Sequence, residues 1–381
     1  MNVKLDQLTS LRFFAAAMIV TLHSAGLFGF DVNIAHSFIF GQAVSFFFVL
    51  SGFVLAYVYP TFETYRDVLQ FWRARFARIY PAHLATFLLA IWMLSLSWDN
   101  KTALANLALV HAWIPLRGFT FSYSYNSPSW SISTEFFFYI AFPILIYQWK
   151  KHWPIKLLLS GSIVVALVAY SNVTKLPDIG ALLWINPVSR IFEFIVGIFI
   201  LFYFCNSRDK IHWNSTTATC LELAAILLCV VSMHYTRVVM KWVSTAWPGA
   251  AFASWLQGSG SMFCFGLLIY LIAIGRGKIS AALAHPFFVL LGEISYSIYL
   301  LHQILLRYYQ TNITALPHMP NLLALSFFWV VLLLSSYLMW AWIEMPARRL
   351  ILWKKKIHGS SAIEESRPIT FGGIARRFRK C

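Results

Sequence analysis

Ten long apolar stretches follow one another along this 381-residue chain. About 20 predominantly apolar residues make a helix that crosses a bilayer, and most of these stretches approach or exceed that length. Inside a bilayer each backbone polar group needs a partner within the protein, and a helix supplies one. We therefore predict an all-α, polytopic membrane protein. The predicted spans are 8–28, 38–59, 82–98, 131–148, 155–171, 188–204, 218–235, 255–274, 287–306 and 322–343.

A shorter apolar run, 103–116, has only about 14 residues, which is too few to span a bilayer. We predict a short re-entrant or interfacial helix there. If this run crossed completely, every later span would be inverted, and the basic C-terminal residues would move to the opposite side.

The charge distribution gives an orientation. Only 12% of the residues are charged, yet the net charge is +16. The basic residues concentrate in alternate short loops and in the C-terminal segment, as expected of cytoplasmic segments, so nucleic acid is not needed as a partner. We predict cytoplasmic termini, a transmembrane domain at 1–350 and a flexible basic tail at 351–381 near anionic membrane lipids.

Several kinds of site have no pattern in the sequence. The five cysteines have neither metal-ligand nor redox spacing. There is no P-loop, no glycine-rich dinucleotide turn and no GxSxG elbow. We therefore expect no metal and no disulfide framework.

Arg12 and His23 lie within the first apolar stretch, where ionisable groups are costly and usually functional. Their spacing returns both to within about 20° of one helix face, about 16 Å apart along the axis. A structural alternative is that Arg12 extends to the interface and His23 bonds a neighbouring helix.

Residues 127–139, SPSWSISTEFFFY, form a second candidate. Ser131 and Glu135 share a helical face, and Ser127 or Ser129 is a candidate N-cap after which the helix begins. A carboxylate inside a span needs a cation, water or a proton, so Glu135 is a candidate site residue. Alternatively, the helix dipole alone stabilises it.

Arg73, Arg75 and Arg78 cluster in residues 71–84, FWRARFARIYPAHL. Charge that sets the topology is sufficient to explain them. The alternative is a site for a polyanionic ligand, because arginine binds phosphate in bidentate fashion.

Further ionisable residues lie in later spans. Arg190 and Glu193 are three residues apart, and we expect them to pair. Glu293 and His302 fall on opposite helix faces, with His302 interfacial. Glu344 is expected to terminate the last span.

Taken in order, these segments resemble the membrane-bound acyltransferase 3 family. The resemblance also includes SFFFVLSGFVLA at 45–56, RIFEFIVG at 190–197 and GEISYSIYLLHQ at 292–303. It implies transfer of an acyl group, most often acetyl, from acyl-CoA to hydroxyls of cell-surface or lipid-linked polysaccharides. The implied location is the bacterial inner membrane. Many family members also have an extracytoplasmic hydrolase-like domain, and we expect none in this chain.

The resemblance also implies roles for individual residues. His23 would be the general base or a transient acyl carrier, and Glu135 would orient it or bind the acceptor. The residues expected to hold the CoA co-substrate are Arg12, Arg73, Arg75, Arg78 and Tyr80. Those expected to bind the acceptor are Trp130, Ser131 and Ser133.

Two other functions use the same sequence features. Glu135, Glu193 and Glu293 would relay protons in a secondary transporter. A non-catalytic binder of lipid-linked sugars is the other alternative.

Overall fold

The computed structural model describes residues 5–29, 37–114, 118–174, 178–246, 251–314 and 319–353. Throughout these ranges the regular structure is helical and contains no strand, which confirms the all-α prediction. The helices are α1 (Asp6–Ser24), α2 (Ala43–Val58), α3 (Tyr65–Met93), α4 (Asn100–Leu107), α5 (Gly118–Ser122), α6 (Ser129–Ile146), α7 (Trp149–Thr174), α8 (Pro187–Ser207), α9 (Ser215–Ala246), α10 (Ala251–Ser259), α11 (Met262–Ile274), α12 (Lys278–Leu283), α13 (Pro286–Thr311), α14 (Asn321–Met339) and α15 (Met345–Leu352).

Nine helical stretches in the described part of the chain are long and apolar enough to cross a membrane. Helix α1 is not among the nine, because Asp6, Gln7, Arg12 and His23 lower its hydropathy. It nevertheless packs inside the bundle, chiefly against α13 and also against α2. With α1 included, ten helical segments traverse the bundle, as the sequence predicts.

The bundle has two ends that we name by their contacts. At the inner end, where α1 begins, Gln7 donates to the carbonyl oxygen of Ile272 at 3.2 Å. At the outer end, where α1 ends, the Asn126 side chain donates to the carbonyl oxygen of Leu300 at 3.0 Å. By the positive-inside argument, the inner end is the one expected to face the cytoplasm.

Glycines allow the central helices to pack backbone against backbone. A Cβ on Gly52 of α2 would overlap the Phe194 carbonyl of α8, and one on Gly197 would overlap the Val49 carbonyl of α2. Gly292 of α13 lies equally close to the carbonyl of Thr9 in α1. Small residues permit this approach in membrane helices.

The run at 103–116 does not span. Helix α4 has 8 residues, about 12 Å at 1.5 Å per residue. Its end is fixed to the bundle, because the His83 ring lies 2.9 Å from the carbonyl oxygen of Asn106.

Two predicted helix boundaries were wrong. Helix α3 begins at Tyr65 instead of residue 82, because Thr64 and Asp67 form a capping box and Pro81 is accommodated within the helix. Glu344 does not terminate the last span: a π-helical turn, Trp340–Glu344, leads directly into α15. The predicted tail lies, from residue 354 onward, outside the described residues.

Candidate active site

His23 and His302 form a pair between α1 and α13. The His23 Nδ1 atom lies 2.8 Å from His302 Nε2. The ring planes are 2° apart and their centroids are separated by 5.1 Å. The centroid separation is close to the sum of the N–N distance and the two ring radii. The rings therefore lie edge to edge in one plane and are joined by a hydrogen bond.

The two histidines differ in accessibility. His302 is fully buried, whereas His23 is exposed. The Nδ1 edge of the His23 ring is covered by His302. Of the two rings, His23 is therefore the one that a small substrate group can reach.

Tyr299 joins this pair to the acceptor residues predicted on α6. Its carbonyl oxygen lies 2.6 Å from His302 Nδ1, and its hydroxyl accepts a 2.8 Å hydrogen bond from Ser131. Trp130 packs edge-on against Tyr123 and Trp184, with ring centroids 6.5 Å away in each case. Hydroxyl and aromatic groups therefore concentrate beside the histidine pair.

Ser133, the third residue predicted to bind the acceptor, forms hydrogen bonds with backbone groups. It is fully buried, donates to the Leu109 carbonyl at 2.7 Å and accepts from the Ala112 amide at 3.2 Å. These contacts hold the segment after α4 against α6.

The expected N-caps of α6 are not formed. Ser129 bonds the His111 ring at 3.2 Å, and Ser127 donates to the Tyr123 carbonyl at 3.1 Å. Burial lowers the pKa of His111 to about 3, so this ring is neutral at physiological pH.

Glu135 lies toward the inner end and not on His23. Its Oε1 atom accepts hydrogen bonds from Ser51 at 3.0 Å and from the Tyr139 hydroxyl at 2.6 Å. Among the described hydrogen bonds none joins Glu135 to His23, so the structure does not bring these two predicted site residues into contact. The reason is helical geometry: Glu135 lies one turn farther inward than Ser131, which faces the histidine side.

Four arginines gather at the inner end, and we call them the arginine cluster: Arg12, Arg75, Arg78 and Arg348. Arg12 is half-buried and lies within electrostatic range of Arg78, Glu135 and Glu344. Arg78 pairs with Glu344 at 2.9 Å, and Ser297 donates to the same carboxylate.

Of these four arginines, only Arg78 forms an ion pair with a carboxylate among the described residues. The Arg75 guanidinium lies 5.6 Å from the Tyr59 ring centroid and 6.0 Å from that of Tyr139. Its Nε atom is buried without a hydrogen-bond partner. Arg348 of α15 lies within electrostatic range of Arg75 and Arg78, and also of Glu293. Like charges crowded in this way favour an anionic ligand.

Arg73 and Tyr80, the remaining residues predicted to hold the co-substrate, occupy peripheral positions on α3. Arg73 is exposed and donates to the Ile351 carbonyl, with its Nε atom 2.6 Å from that oxygen. Arg73 thereby satisfies the C-terminus of α15. Tyr80 stacks on Phe76 with ring centroids 4.4 Å apart.

The acidic residues Glu135, Glu193 and Glu293 have separate surroundings in the described part of the chain. Glu193 pairs with Arg190 at 3.1 Å, and both side chains are buried, which confirms the expected pairing. Ser259 also donates to Glu193. Glu293 is exposed. Within the described part of the chain, no group of three or more His, Cys, Asp or Glu residues is arranged to hold a metal ion.

Sequence reasoning missed four residues of the site. His302 was predicted to be interfacial and Glu344 to be a helix terminator, but both are buried hydrogen-bonding residues. Tyr299 and Arg348 were not singled out. Only the signal used for His23, an ionisable group within an apolar span, could have identified His302.

Three comparisons with known proteins extend these observations. The sequence model of the acyltransferase 3 family, described as an acyltransferase domain, matches residues 5–340. Acyltransferase MdmB of Streptomyces mycarofaciens is 31% identical over 338 residues, which cover 80% of each chain. Protein 2 in the picA locus of Rhizobium radiobacter is 41% identical over 93 residues, 23% of this chain and 46% of that protein. No solved structure matches.

Proposed function

Since this chain belongs to the acyltransferase 3 family of membrane acyltransferases, we propose that it transfers an acyl group, by family resemblance an acetyl group, from acyl-CoA to a carbohydrate hydroxyl. One observation carries the proposal. An accessible histidine toward the outer end and a partly uncompensated arginine cluster toward the inner end lie along the same bundle. A large anionic acyl donor needs the basic environment of the arginine cluster, and a neutral hydroxyl acceptor needs the accessible histidine.

The arginine cluster suits the phosphate groups of CoA. Arg75 has no carboxylate partner among the described ion pairs, Arg348 has Glu293 only within electrostatic range, and the Arg75 Nε atom has an unused hydrogen-bonding position. Arginine offers several donors in a planar arrangement that matches phosphate oxygens. Arg12 lies deeper along α1 toward His23. It is therefore the member of the cluster placed to contact the part of the donor nearest the thioester.

Acid–base chemistry is assigned to His23. Its ring takes the proton of the acceptor hydroxyl, and the hydroxyl oxygen forms a bond with the acyl carbon. The acyl–sulfur bond breaks, and the proton held by His23 passes to the departing thiolate. The products are an ester and the free thiol of CoA, so atoms and charges balance.

The surroundings of His23 suit a carbohydrate acceptor. Tyr299, which contacts His302, shares a hydrogen bond with Ser131, and the neighbouring Trp130 packs on Tyr123; of these four side chains only Tyr123 is half-buried and the others are buried. Aromatic groups with a few fixed polar groups are typical of small-molecule sites. The acceptor is proposed to be a cell-surface or lipid-linked polysaccharide of a bacterial inner membrane.

Mass spectrometry tests the acceptor assignment. Surface and lipid-linked glycans are compared between cells that carry the gene, cells that lack it and cells that carry a His23→Ala variant. The expected result is a mass increase of one acyl group, found only with the wild-type gene. Identical glycan masses in all three strains, together with acyl transfer to a different class of molecule, would refute the carbohydrate acceptor.

A further inference from the structure

The hydrogen bonds of the histidine pair define which ring nitrogens carry protons. The Tyr299 carbonyl oxygen is 2.6 Å from His302 Nδ1 and can only accept, so His302 Nδ1 is the donor. In a neutral imidazole the other nitrogen then carries a lone pair. His302 Nε2 therefore accepts, and the proton in the 2.8 Å bond belongs to His23 Nδ1.

This assignment fixes the free edge of His23. With Nδ1 protonated and directed at His302, the neutral His23 ring has its lone pair on Nε2. Nε2 is on the edge of the ring away from the buried partner, and His23 is the accessible member of the pair. The basic nitrogen thus lies on the edge of the ring away from His302, where an acceptor hydroxyl can approach it.

We propose that His302 is a positioning residue, which holds His23 in the Nδ1-protonated tautomer and fixes the plane of its ring through the Tyr299 carbonyl. The inference rests on the proposed function of His23 as the general base. His302 itself is fully buried and has no access to either substrate. It acts only through His23, as the orienting member of a catalytic triad acts through its histidine.

The helix packing supports a fixed geometry for this pair. Gly292 lets α13 approach the backbone of α1 at Thr9, and the two helices pack against each other along their length. The His302 ring is held at its other nitrogen by a backbone carbonyl of its own helix, so it has little freedom to rotate. The buried His302 ring, with its two defined partners, therefore fixes the orientation of the accessible His23 ring.

Protonation of His23 during the reaction strengthens the same contact. When Nε2 takes the hydroxyl proton, the ring becomes an imidazolium and its Nδ1–H becomes a charge-assisted donor to the neutral His302. His302 thus stabilises the charge that develops as the acceptor oxygen attacks. The proton leaves again from His23 Nε2 to the thiolate, so His302 has the same protonation state before and after turnover.

A matched pair of substitutions tests this role. In His302→Gln, the side-chain amide reaches the position of Nε2, so an oxygen acceptor for His23 remains. In His302→Asn, the shorter side chain reaches only the position of Nδ1, next to the Tyr299 carbonyl. We expect kcat to fall about 10²-fold in His302→Asn, within the range that general base catalysis contributes. His302→Gln should retain most of the wild-type kcat, and KM for both substrates should stay unchanged in both variants.

Rescue by imidazole provides a second measurement. If the role of His302 were purely structural, the extent of rescue would not depend on His302. In His23→Gly, added imidazole should occupy the vacated space, bond to His302 and restore part of the activity. In the double variant His23→Gly/His302→Asn, the same concentration of imidazole should restore much less. Wild-type kcat in His302→Asn, equal losses in the Asn and Gln variants, or equal rescue with and without His302 would each overturn the proposal.

Two controls separate this inference from its premise. If the wild-type protein transfers no acyl group from acyl-CoA, or if His23→Ala keeps full activity, the proposed function fails first. If His23→Ala is inactive and His302→Asn is not impaired, only the role of His302 fails.

His83→Gln is a control for stability. It removes another fully buried imidazole, which contacts the Asn106 carbonyl. It reports the thermal destabilisation caused by losing such a ring.

Discussion

The arginines of the inner end differ in their partners, and this difference predicts different mutant behaviour. Arg75 has no carboxylate partner among the described ion pairs and a buried Nε atom without a hydrogen bond. Arg75→Gln is expected to raise KM for acyl-CoA about tenfold, because a hydrogen bond to a charged group contributes about 1.5–3 kcal/mol. Its kcat should change little. Steady-state kinetics with varied acyl-CoA measure this effect.

A matched control for Arg75 is available at the same end of the bundle. Arg276 is exposed in the loop between α11 and α12. Arg276→Gln removes the same charge outside the arginine cluster and should leave KM for acyl-CoA unchanged. Equal increases in KM for both variants would show a general effect of charge instead of a binding site at Arg75.

Arg78 is expected to act mainly on stability. Its partner Glu344 is 4% exposed and Arg78 is 20% exposed. Removal of one partner from a largely buried pair costs about 3–5 kcal/mol, because a charge remains without compensation. Arg78→Met should therefore lower the thermal unfolding temperature in detergent. The double variant Arg78→Met/Glu344→Gln should recover part of the loss. A single variant as stable as the wild type would contradict this role of the pair.

Residue pairs were predictable from the sequence only where both partners lie on one helix. Arg190 and Glu193 are three residues apart, and the helical repeat alone predicts their contact. His23 and His302 are 279 residues apart in sequence. The repeat within α13 predicts which face His302 occupies, but not that α1 packs against that face. For the same reason, the contacts of Glu135 with Ser51 and Tyr139 could only be predicted for Tyr139, which lies one turn away on the same helix.

Helix α13 is expected to control activity through its distance from α1. A Cβ at Gly292 would overlap the Thr9 carbonyl, so Gly292→Ala must move the two helices apart and lengthen the His23–His302 contact. We expect kcat to fall by about tenfold or more, since a hydrogen bond to a charged group contributes about 1.5–3 kcal/mol. Kinetic assay of correctly folded protein, isolated by size-exclusion chromatography, measures this effect.

Gly161→Ala is the control for that substitution. A Cβ at Gly161 of α7 would meet only the Phe192 ring at 3.7 Å, an ordinary van der Waals contact. Its kcat should equal that of the wild type. If both alanine variants have the wild-type rate, close packing of α1 and α13 is not required for the site.

Helix ends were the least predictable feature of the elements. Hydropathy predicts the apolar part of α3 but not its polar first turns, which begin at a capping box outside the apolar run. The sequence at Glu344 is typical of a helix end, yet Arg78 and Ser297 form hydrogen bonds with its carboxylate inside the bundle. Both errors arise because hydropathy describes contact with lipid, whereas helix length also depends on local hydrogen bonds and tertiary partners.

The whole molecule is expected to have its inner end in the cytoplasm. In a cysteine-free background, Asp209→Cys places a thiol at a residue whose side chain is 84% exposed, in the loop after α8. Thr311→Cys places one at the exposed last residue of α13. A membrane-impermeant maleimide should label Thr311→Cys in intact spheroplasts. It should label Asp209→Cys only after lysis, and the reverse pattern would invert the topology.

The architecture as a whole was largely predictable from composition. Apolar length determines which segments can span, and the basic loops predict an orientation. The predicted ten segments and the short helix near 103–116 match the described helices. The arrangement of these helices around a shared site was not predictable, because it depends on packing between segments far apart in sequence, as at Gly52 and Gly197.

Release of free CoA thiol by the purified protein in lipid nanodiscs decides whether His23 carries out acyl transfer. Acyl-CoA is supplied with and without a panel of hydroxyl-bearing acceptors, and thiol and acylated product are both quantified. We predict equal amounts of thiol and product, formed only with an acceptor. The rate should fall about 10²-fold or more in folded His23→Ala, as expected for loss of a general base. A wild-type rate in folded His23→Ala, or release of thiol independent of any acceptor, would contradict this mechanism.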